Sequence, residues 1–270
     1  MILVNGVATD QVAATDRGLA YGDGVFRTFP VMDDHVPAWR LQYQKLSRDC
    51  SALGLPCPKA SQLSSEIRQA VAGLPECVVK IIITRGSGPR GYWPEPQPHV
   101  TRIVLATPGF PYPPELAHTG VKVRVCRTRL ASQPRLAGIK HLNRLENVLA
   151  RAEWNDRETA EGLMLDAGGN VIGGTMTNLF IVDETGMSTP DLSSCGVAGV
   201  TRERVLMAAA RTGARCRIEV LPLDRVLAAR ELILVNSLVG IWPVREIEGR
   251  TRQPGPQAAH ISEWLRDEND

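Results

Sequence analysis

The chain has 270 residues, enough to bury a sizeable core and to form one or two domains. Its 31 Lys and Arg stand against 29 Asp and Glu, which argues against nucleic acid or a membrane surface as a partner and favours a small-molecule substrate. Six cysteines without a CxxC pair and five histidines without ligand spacing argue against a disulfide framework and a metal site. No basic leader and no long apolar run is found, so we expect a cytoplasmic protein.

The first half of the chain is predicted to combine short strands with two helices. Leu41, Leu46 and Cys50 recur at helical spacing. Gly54 and Pro56 are placed to end that helix. The runs "CVVKIIITRG" and "TRIVLAT" are rich in β-branched residues and are typical of central strands. The predicted elements are strands at 1–6, 24–32, 77–86 and 101–107 and helices at 39–53 and 64–72.

A proline-rich stretch separates the two halves. Residues 107–120 contain four prolines within seven residues, which argues against a helix or a central strand there. We therefore predict a linker at 108–120. It joins an N-terminal domain of residues 1–107 to a C-terminal domain of residues 121–270 that carries Lys140.

The second half mixes strands and helices without a regular alternation, which indicates an α+β fold with two domains. The run "VKVRVCRTRL" alternates valine with basic residues and predicts a half-buried strand. Leu142, Leu145 and Leu149 lie on one helical stripe, so we expect a helix with a buried apolar face. The predicted elements are strands at 121–130, 162–166, 178–183 and 231–236 and helices at 142–152, 201–213 and 257–267.

The stretch "GSGPRG" at 86–91 matches the GxGxxG pattern of dinucleotide sites and follows a predicted strand. Its context fails, because Pro89 interrupts it, no helix is expected after it, and no acidic residue stands about 20 positions further on. We therefore reject a nucleotide site. The glycines are interpreted as a tight loop that projects Arg90 and Tyr92, and Arg90 is the arginine best placed to bind a carboxylate.

Lys140, in "LAGIKHLNRLENVLAR", is the candidate for the chemistry. A solvated lysine near a helix start is the commoner case. However, the partial positive charge of a helix N-terminus, together with burial, lowers the pKa of an amine and favours the neutral nucleophile that imine chemistry needs. The neighbouring His141 is interpreted as a packing residue.

The stretch "GVAGVTRERV" leads small residues into a predicted helix. Its first turn holds Thr201, so backbone N–H groups and a hydroxyl converge on one point, as in phosphate sites. An ordinary capped helix is the commoner case. A phosphate cradle combined with a candidate imine-forming lysine indicates pyridoxal phosphate as cofactor.

Several stretches of the sequence resemble motifs of a known enzyme family. The stretches "DRGLAYGDGVF", "TRGSGPRGY", "LAGIKHLNRLENVLAR", "TNLF" and "GVTRERV" resemble the fold-type IV pyridoxal-phosphate enzymes over nearly the whole chain. Within them, "RGSGPRGY" and "AGIKHLNRLE" look more like the aminodeoxychorismate lyases than the transaminases. The resemblance implies a homodimeric enzyme of folate synthesis that converts 4-amino-4-deoxychorismate to 4-aminobenzoate and pyruvate.

The resemblance also implies roles for individual residues. Lys140 would bond the cofactor covalently and then move protons. Val200 and Thr201 would bind the cofactor phosphate. Ser237 and Lys45 would assist them, and Arg90 with Tyr92 would bind the substrate carboxylate.

Three positions depart from the family pattern. Where relatives usually have a Glu that pairs with the pyridinium nitrogen, this chain has Gly173. The loss of the acid weakens either the binding of the cofactor or its action as an electron sink. Lys45 replaces the usual phosphate-binding Arg, so charge is kept but the bidentate fork is lost. Arg27 stands where relatives often have Glu or Thr.

Two other functions stay open on the sequence alone. The first is a D-amino-acid or branched-chain aminotransferase of the same fold, although the missing acid counts against it. The second is a family member that has lost its cofactor and serves as a binding protein.

Overall fold

The computed structural model describes residues 1–266 of the chain, which adopt an α+β fold. The chain divides into two compact units. The first contains Met1–Pro111 and Ile139–Asn143. The second contains Tyr112–Gly138 and the described residues from Arg144 onwards.

A five-stranded antiparallel sheet is the frame of the first unit, in the order β2-β1-β5-β4-β3. Along β4, every second side chain is buried, as expected for a sheet with one fully covered face. Helices α2 and α3 supply that cover and pack Leu46 and Leu63 against Phe29 and Ile81. The elements of this unit are β1 Ile2–Val4, β2 Val7–Ala8, α1 Arg17–Tyr21, β3 Gly24–Met32, α2 Trp39–Ala52, α3 Ala60–Val71, β4 Glu76–Thr84 and β5 Thr101–Pro108.

A second, larger sheet is the frame of the second unit, in the order β11-β10-β9-β12-β13-β6-β7-β8, with β14 paired to β13. Its elements are α4 Leu116–Thr119, β6 Val121–Leu130, α5 Leu145–Arg151, β7 Thr159–Asp166, β8 Val171–Gly174, β9 Asn178–Asp183, β10 Gly186–Pro190, α6 Val200–Thr212, β11 Cys216–Glu219, α7 Leu223–Ala228, β12 Glu231–Asn236, β13 Gly240–Ile247, β14 Arg250–Thr251 and α8 Pro256–Arg266.

The middle of this larger sheet is buried on both faces. Leu232 and Leu234 of β12 belong to one apolar cluster, whereas Ile233 and Val235 belong to another that includes residues of α6 and α8. Double burial explains why this strand is a continuous apolar run in the sequence. Within residues 1–266, no helix has both the length and the apolar character needed to cross a bilayer.

Most predicted elements form, but three expectations were wrong. The helix predicted at 142–152 is only Leu145–Arg151, and its stripe is not buried, because Leu145 and Leu149 are 75% and 61% exposed. One helical turn, α4, forms in the stretch where a helix was argued against, because the prolines all precede it. Helix α3 begins at Ala60, four residues before its predicted start at 64.

The position of Lys140 also differs from the expected domain organisation. The sequence assigned it to the C-terminal domain, whereas residues 139–143 group with the first unit because they pair with β3. The exact bounds of the linker stay a prediction. The last helix was predicted to reach residue 267, which lies outside the described residues, as does the end of the predicted second domain.

Candidate active site

Lys140 lies in an extended stretch beside β3. The Phe26 N–H donates to the Lys140 carbonyl at 3.0 Å, and the Leu142 N–H donates to the Gly24 carbonyl at 3.0 Å. Lys140 is half-buried, and its Nζ lies 4.5 Å from the centre of the Phe26 ring, within cation–π range. The Nζ of Lys80 lies 5.0 Å from the same ring. The amine is therefore held over an aromatic face by a backbone that is hydrogen-bonded to β3.

The expected helix N-terminus at Lys140 is absent from this stretch, and that prediction was wrong. Helix α5 begins only at Leu145 and has 7 residues. The field of a helix terminus falls off within one turn, so it does not act on this amine as proposed. The surroundings of the amine include the Phe26 ring, and further groups fix the backbone of Lys140.

One of those groups is Asp49 on α2. Its Oδ2 accepts hydrogen bonds from the Lys140 N–H at 3.0 Å and from Nη2 of Arg27 at 2.5 Å. The side chains of Arg27 and Asp49 are only 3% and 8% exposed. Burial lowers the pKa of Arg27, and the Asp49 charge opposes that shift. Lys45 is buried one helical turn before Asp49.

Arg90 and Tyr92 lie on the exposed loop between β4 and β5, and the Tyr92 side chain is 86% exposed. The buried Arg17 donates to the carbonyls of Gly91 at 2.8 Å and Tyr92 at 3.2 Å. The Gly91 N–H donates to the Tyr21 hydroxyl at 3.1 Å. The backbone of this loop is therefore anchored, while its two candidate substrate-binding side chains remain exposed.

In the second unit, Val200 and Thr201 form the first turn of α6, a helix of 13 residues. Gly199 occupies the N-cap position and has no side chain that could accept the first amide groups. Asn178 holds the preceding segment, because its Nδ2 donates to the Val197 carbonyl at 2.8 Å and its Oδ1 accepts from the Gly199 N–H at 3.1 Å. A helix start built in this way fits a phosphate group.

The remaining candidate is Ser237, and two arginines of the quoted motifs, Arg202 and Arg85, lie in the interior. Ser237 is half-buried in the turn between β12 and β13. Arg202 is buried and donates to Thr189 Oγ1 at 3.1 Å and to the Pro190 carbonyl at 3.0 Å, so its role is structural. Arg85 is likewise buried, bonded to a carboxylate and to two main-chain carbonyls of its own unit.

Glu161 on β7 is fully buried and holds the loop that follows β8. Its Oε1 accepts from the Gly162 N–H at 2.9 Å, the Thr175 N–H at 3.0 Å and the Thr175 hydroxyl at 2.5 Å. Its Oε2 accepts from the Met176 N–H at 3.1 Å and the Thr177 hydroxyl at 3.0 Å. Five hydrogen bonds thus satisfy a buried carboxylate.

Gly173, at the position of the acid expected from the family pattern, lies in β8 just before this loop. A Cβ built on Gly173 would lie 2.9 Å from the Thr177 carbonyl oxygen. That neighbour is backbone and cannot rotate away, so a Glu at 173 would require the loop to shift. Restoring the acid is therefore a structural change as well as a chemical one.

Sequence reasoning missed Asp49, Glu161 and Asn178 as residues that position candidate site groups. A signal existed for Asp49, since it stands four residues after Lys45 and directly before Cys50 on the stripe predicted to be buried. Asn178 is part of the quoted "TNLF" stretch, but its contacts with 197 and 199 join residues distant in sequence. No motif or periodic pattern in the sequence pointed to Glu161.

Comparison with known proteins agrees with the resemblance seen in the sequence motifs. The model of the family "Amino-transferase class IV" matches residues 24–247. The chain is 35% identical to an aminodeoxychorismate lyase of Vibrio harveyi over 250 residues, 92% of this chain and 91% of the relative. It is 29% identical to a putative branched-chain-amino-acid aminotransferase of Methanocaldococcus jannaschii, over 98% and 95% of the two chains. The solved structure of 4-amino-4-deoxychorismate lyase from Pseudomonas aeruginosa is 40% identical, with a TM-score of 0.94 and full coverage of both chains.

Proposed function

The chain belongs to the class IV amino-transferase family, and from that premise we propose that it is a pyridoxal-phosphate-dependent lyase that converts 4-amino-4-deoxychorismate to 4-aminobenzoate and pyruvate. The observation that carries the proposal is the Lys140 amine, held over the Phe26 ring on a backbone fixed at both its N–H and its carbonyl. An amine in such a place suits covalent bonding to an aldehyde.

The described residues fit this cofactor at two of its three usual points of attachment. Lys140 supplies the amine, and the uncapped start of α6 at Val200 and Thr201 supplies amide donors for the phosphate, with Ser237 and Lys45 assisting. Gly173 supplies no acid for the ring nitrogen. When bound, pyridoxal phosphate withdraws electrons from the substrate carbon that carries nitrogen.

In the proposed reaction, Lys140 acts as both base and acid. Its Nζ takes the proton from the ring carbon that bears the substrate nitrogen. It then returns a proton to the departing enolpyruvyl group, so that pyruvate leaves and the ring becomes aromatic. Arg90 and Tyr92 bind a substrate carboxylate, for which the planar guanidinium offers a paired geometry.

The absent acid supports a lyase over a transaminase. A transaminase must store negative charge until a second carbon is protonated, so it depends strongly on a protonated ring nitrogen. In the lyase the charge collapses directly into an aromatic product, and a weaker electron sink suffices. A cytoplasmic location and a homodimer stay predictions.

The test is to incubate the purified protein with pyridoxal phosphate and 4-amino-4-deoxychorismate while following 4-aminobenzoate. We expect Lys140→Ala to lower the rate at least about 1,000-fold, as removal of a nucleophile typically does. Borohydride should fix the cofactor onto Lys140 in the wild type. Lys80→Ala is the matched control, since it removes the other amine over Phe26 and should leave that labelling in place.

Three results would refute the proposal in different ways. Steady conversion of a D- or branched-chain amino acid with an oxo-acid acceptor, and no 4-aminobenzoate, would establish the aminotransferase instead. A protein that takes up no cofactor at all would favour the binding-protein alternative. Labelling of Lys80 in place of Lys140 would show that the reacting amine was misassigned.

A further inference from the structure

We propose that Asp49 is a positioning residue that fixes the backbone of Lys140, and that Arg27 holds the Asp49 carboxylate in place for this task. The inference rests on the proposed function only in taking Lys140 as the reacting residue. It gives a role to Arg27, one of the positions at which this chain departs from the family pattern.

The argument starts from the two main-chain polar groups of Lys140. Its carbonyl accepts from the Phe26 N–H at 3.0 Å, which attaches it to β3. Its N–H donates to Asp49 Oδ2 at 3.0 Å, which attaches it to α2. With both groups bound, the peptide planes on either side of Lys140 are fixed. The direction in which its side chain leaves the backbone is then set toward the Phe26 ring.

The same carboxylate oxygen also receives the guanidinium. Arg27 Nη2 lies 2.5 Å from Asp49 Oδ2, the atom that accepts the Lys140 N–H. Since one oxygen serves both donors, any displacement of Arg27 moves the acceptor on which the Lys140 backbone depends. Arg27 lies on β3 next to Phe26, so strand, helix and lysine stretch are joined at a single atom.

The burial of this pair indicates that it is kept for geometry. Arg27 and Asp49 are 2% and 6% exposed, and the Arg27 Nε is buried without a hydrogen-bond partner. Removing two charges from water is costly, and apolar replacements of a buried ion pair are often neutral or stabilising. A pair that adds little stability but carries a third hydrogen bond to Lys140 fits a positioning role.

Two double variants separate the hydrogen bond from the ion pair. Arg27→Met with Asp49→Asn removes both charges but keeps a side-chain oxygen that can accept the Lys140 N–H. Arg27→Met with Asp49→Leu has a similar shape but no acceptor. We expect similar thermal midpoints for the two, because both remove the same pair of charges.

Two measurements on the full, cofactor-loaded protein distinguish these variants. In the Leu double variant we expect the amide of Lys140 to exchange with deuterium at least about tenfold faster than in the Asn double variant, since only the former lacks its acceptor. We also expect kcat to fall about 100-fold with little change in KM, as for a misplaced reacting group. Equal amide exchange and equal kcat in the two double variants would overturn the proposal.

If the Leu double variant does not fold, Asp49→Glu serves in its place. It keeps the charge but moves the acceptor oxygen by one methylene, so we expect a lower kcat and faster exchange at Lys140. Wild-type values for both would overturn the positioning role. Amide exchange can be measured without lyase activity. Wild-type turnover in Lys140→Ala would refute the proposed function, whereas unchanged amide exchange at Lys140 would refute this inference.

Discussion

Two buried carboxylates, one in each unit, fasten a short stretch of chain by different means. Asp49 accepts from a guanidinium and from one peptide N–H, and its partners lie 22 and 91 residues away in sequence. Glu161 accepts only from uncharged donors, namely peptide N–H groups and hydroxyls within 16 residues of itself.

The difference shows that a buried charge can be stabilised in two ways with different consequences. An ion pair supplies much of the compensation through one strong contact, and the same oxygen can still accept a hydrogen bond from a functional group. A set of neutral donors spreads the compensation over several weaker contacts, most of them from one loop. The first arrangement suits positioning of a single residue, whereas the second suits stabilising a loop.

The largest expected effect comes from removing the Glu161 carboxylate. Glu161→Leu removes a fully buried acceptor of five hydrogen bonds, and we expect it to lower the free energy of unfolding by about 3–5 kcal/mol. Glu161→Gln keeps one oxygen and should lie between that variant and the wild type. Urea unfolding followed by circular dichroism measures both. If the Leu variant lost less than about 1 kcal/mol of unfolding free energy, water would have replaced the carboxylate as acceptor.

A smaller effect is expected from crowding the same loop. A Cβ at Gly174 would lie 2.5 Å from Glu161 Oε2, and one at Gly173 would lie 2.9 Å from the Thr177 carbonyl. We expect Gly174→Ala to cost about 1–3 kcal/mol in unfolding free energy by overpacking. Gly169→Ala is no fair control because its φ is +82°. Gly168→Ala is preferable as a control, since a Cβ at Gly168 would lie 3.1 Å from the nearest side-chain atom.

The smallest effect concerns a neutral donor in the first unit. A hydrogen bond from the Cys50 thiol, next to Asp49, lowers the pKa of the half-buried Cys57 to about 7. Because the thiolate is the reactive form, alkylation of Cys57 should rise through half its maximum near this pH. In Cys50→Ala the midpoint should move up toward that of an ordinary thiol. Iodoacetamide labelling followed by mass spectrometry tests this, and an unchanged midpoint would contradict it.

The sequence predicted those elements whose burial pattern is local. Strands β9 and β12 are continuous apolar runs because both of their faces are buried, and α6 ends at a glycine with φ of +74°, as its composition indicated. The family resemblance, carried by local motifs, led to the lyase, which the comparisons support. The candidate residues taken from the same motifs stay a prediction.

What the sequence could not predict depends on contacts between distant segments. The apolar residues of α5 have helical spacing, but spacing alone does not tell whether a face is covered, and here it is exposed. Lys140 was placed at a helix start because the residues after it favour a helix. Pairing with β3 overrides that local preference. The link between Asp49 and Lys140 spans 91 residues and leaves no periodic signal.

The close approach of Gly173 to the Thr177 carbonyl bears on the history of the chain. A lineage that gave up the acid at this position and afterwards tightened the turn could not regain the ancestral residue by one codon change. A reversion would first meet a steric penalty and would become useful only after a second mutation relaxed the turn. The loss of the acid would then be difficult to reverse by single mutations.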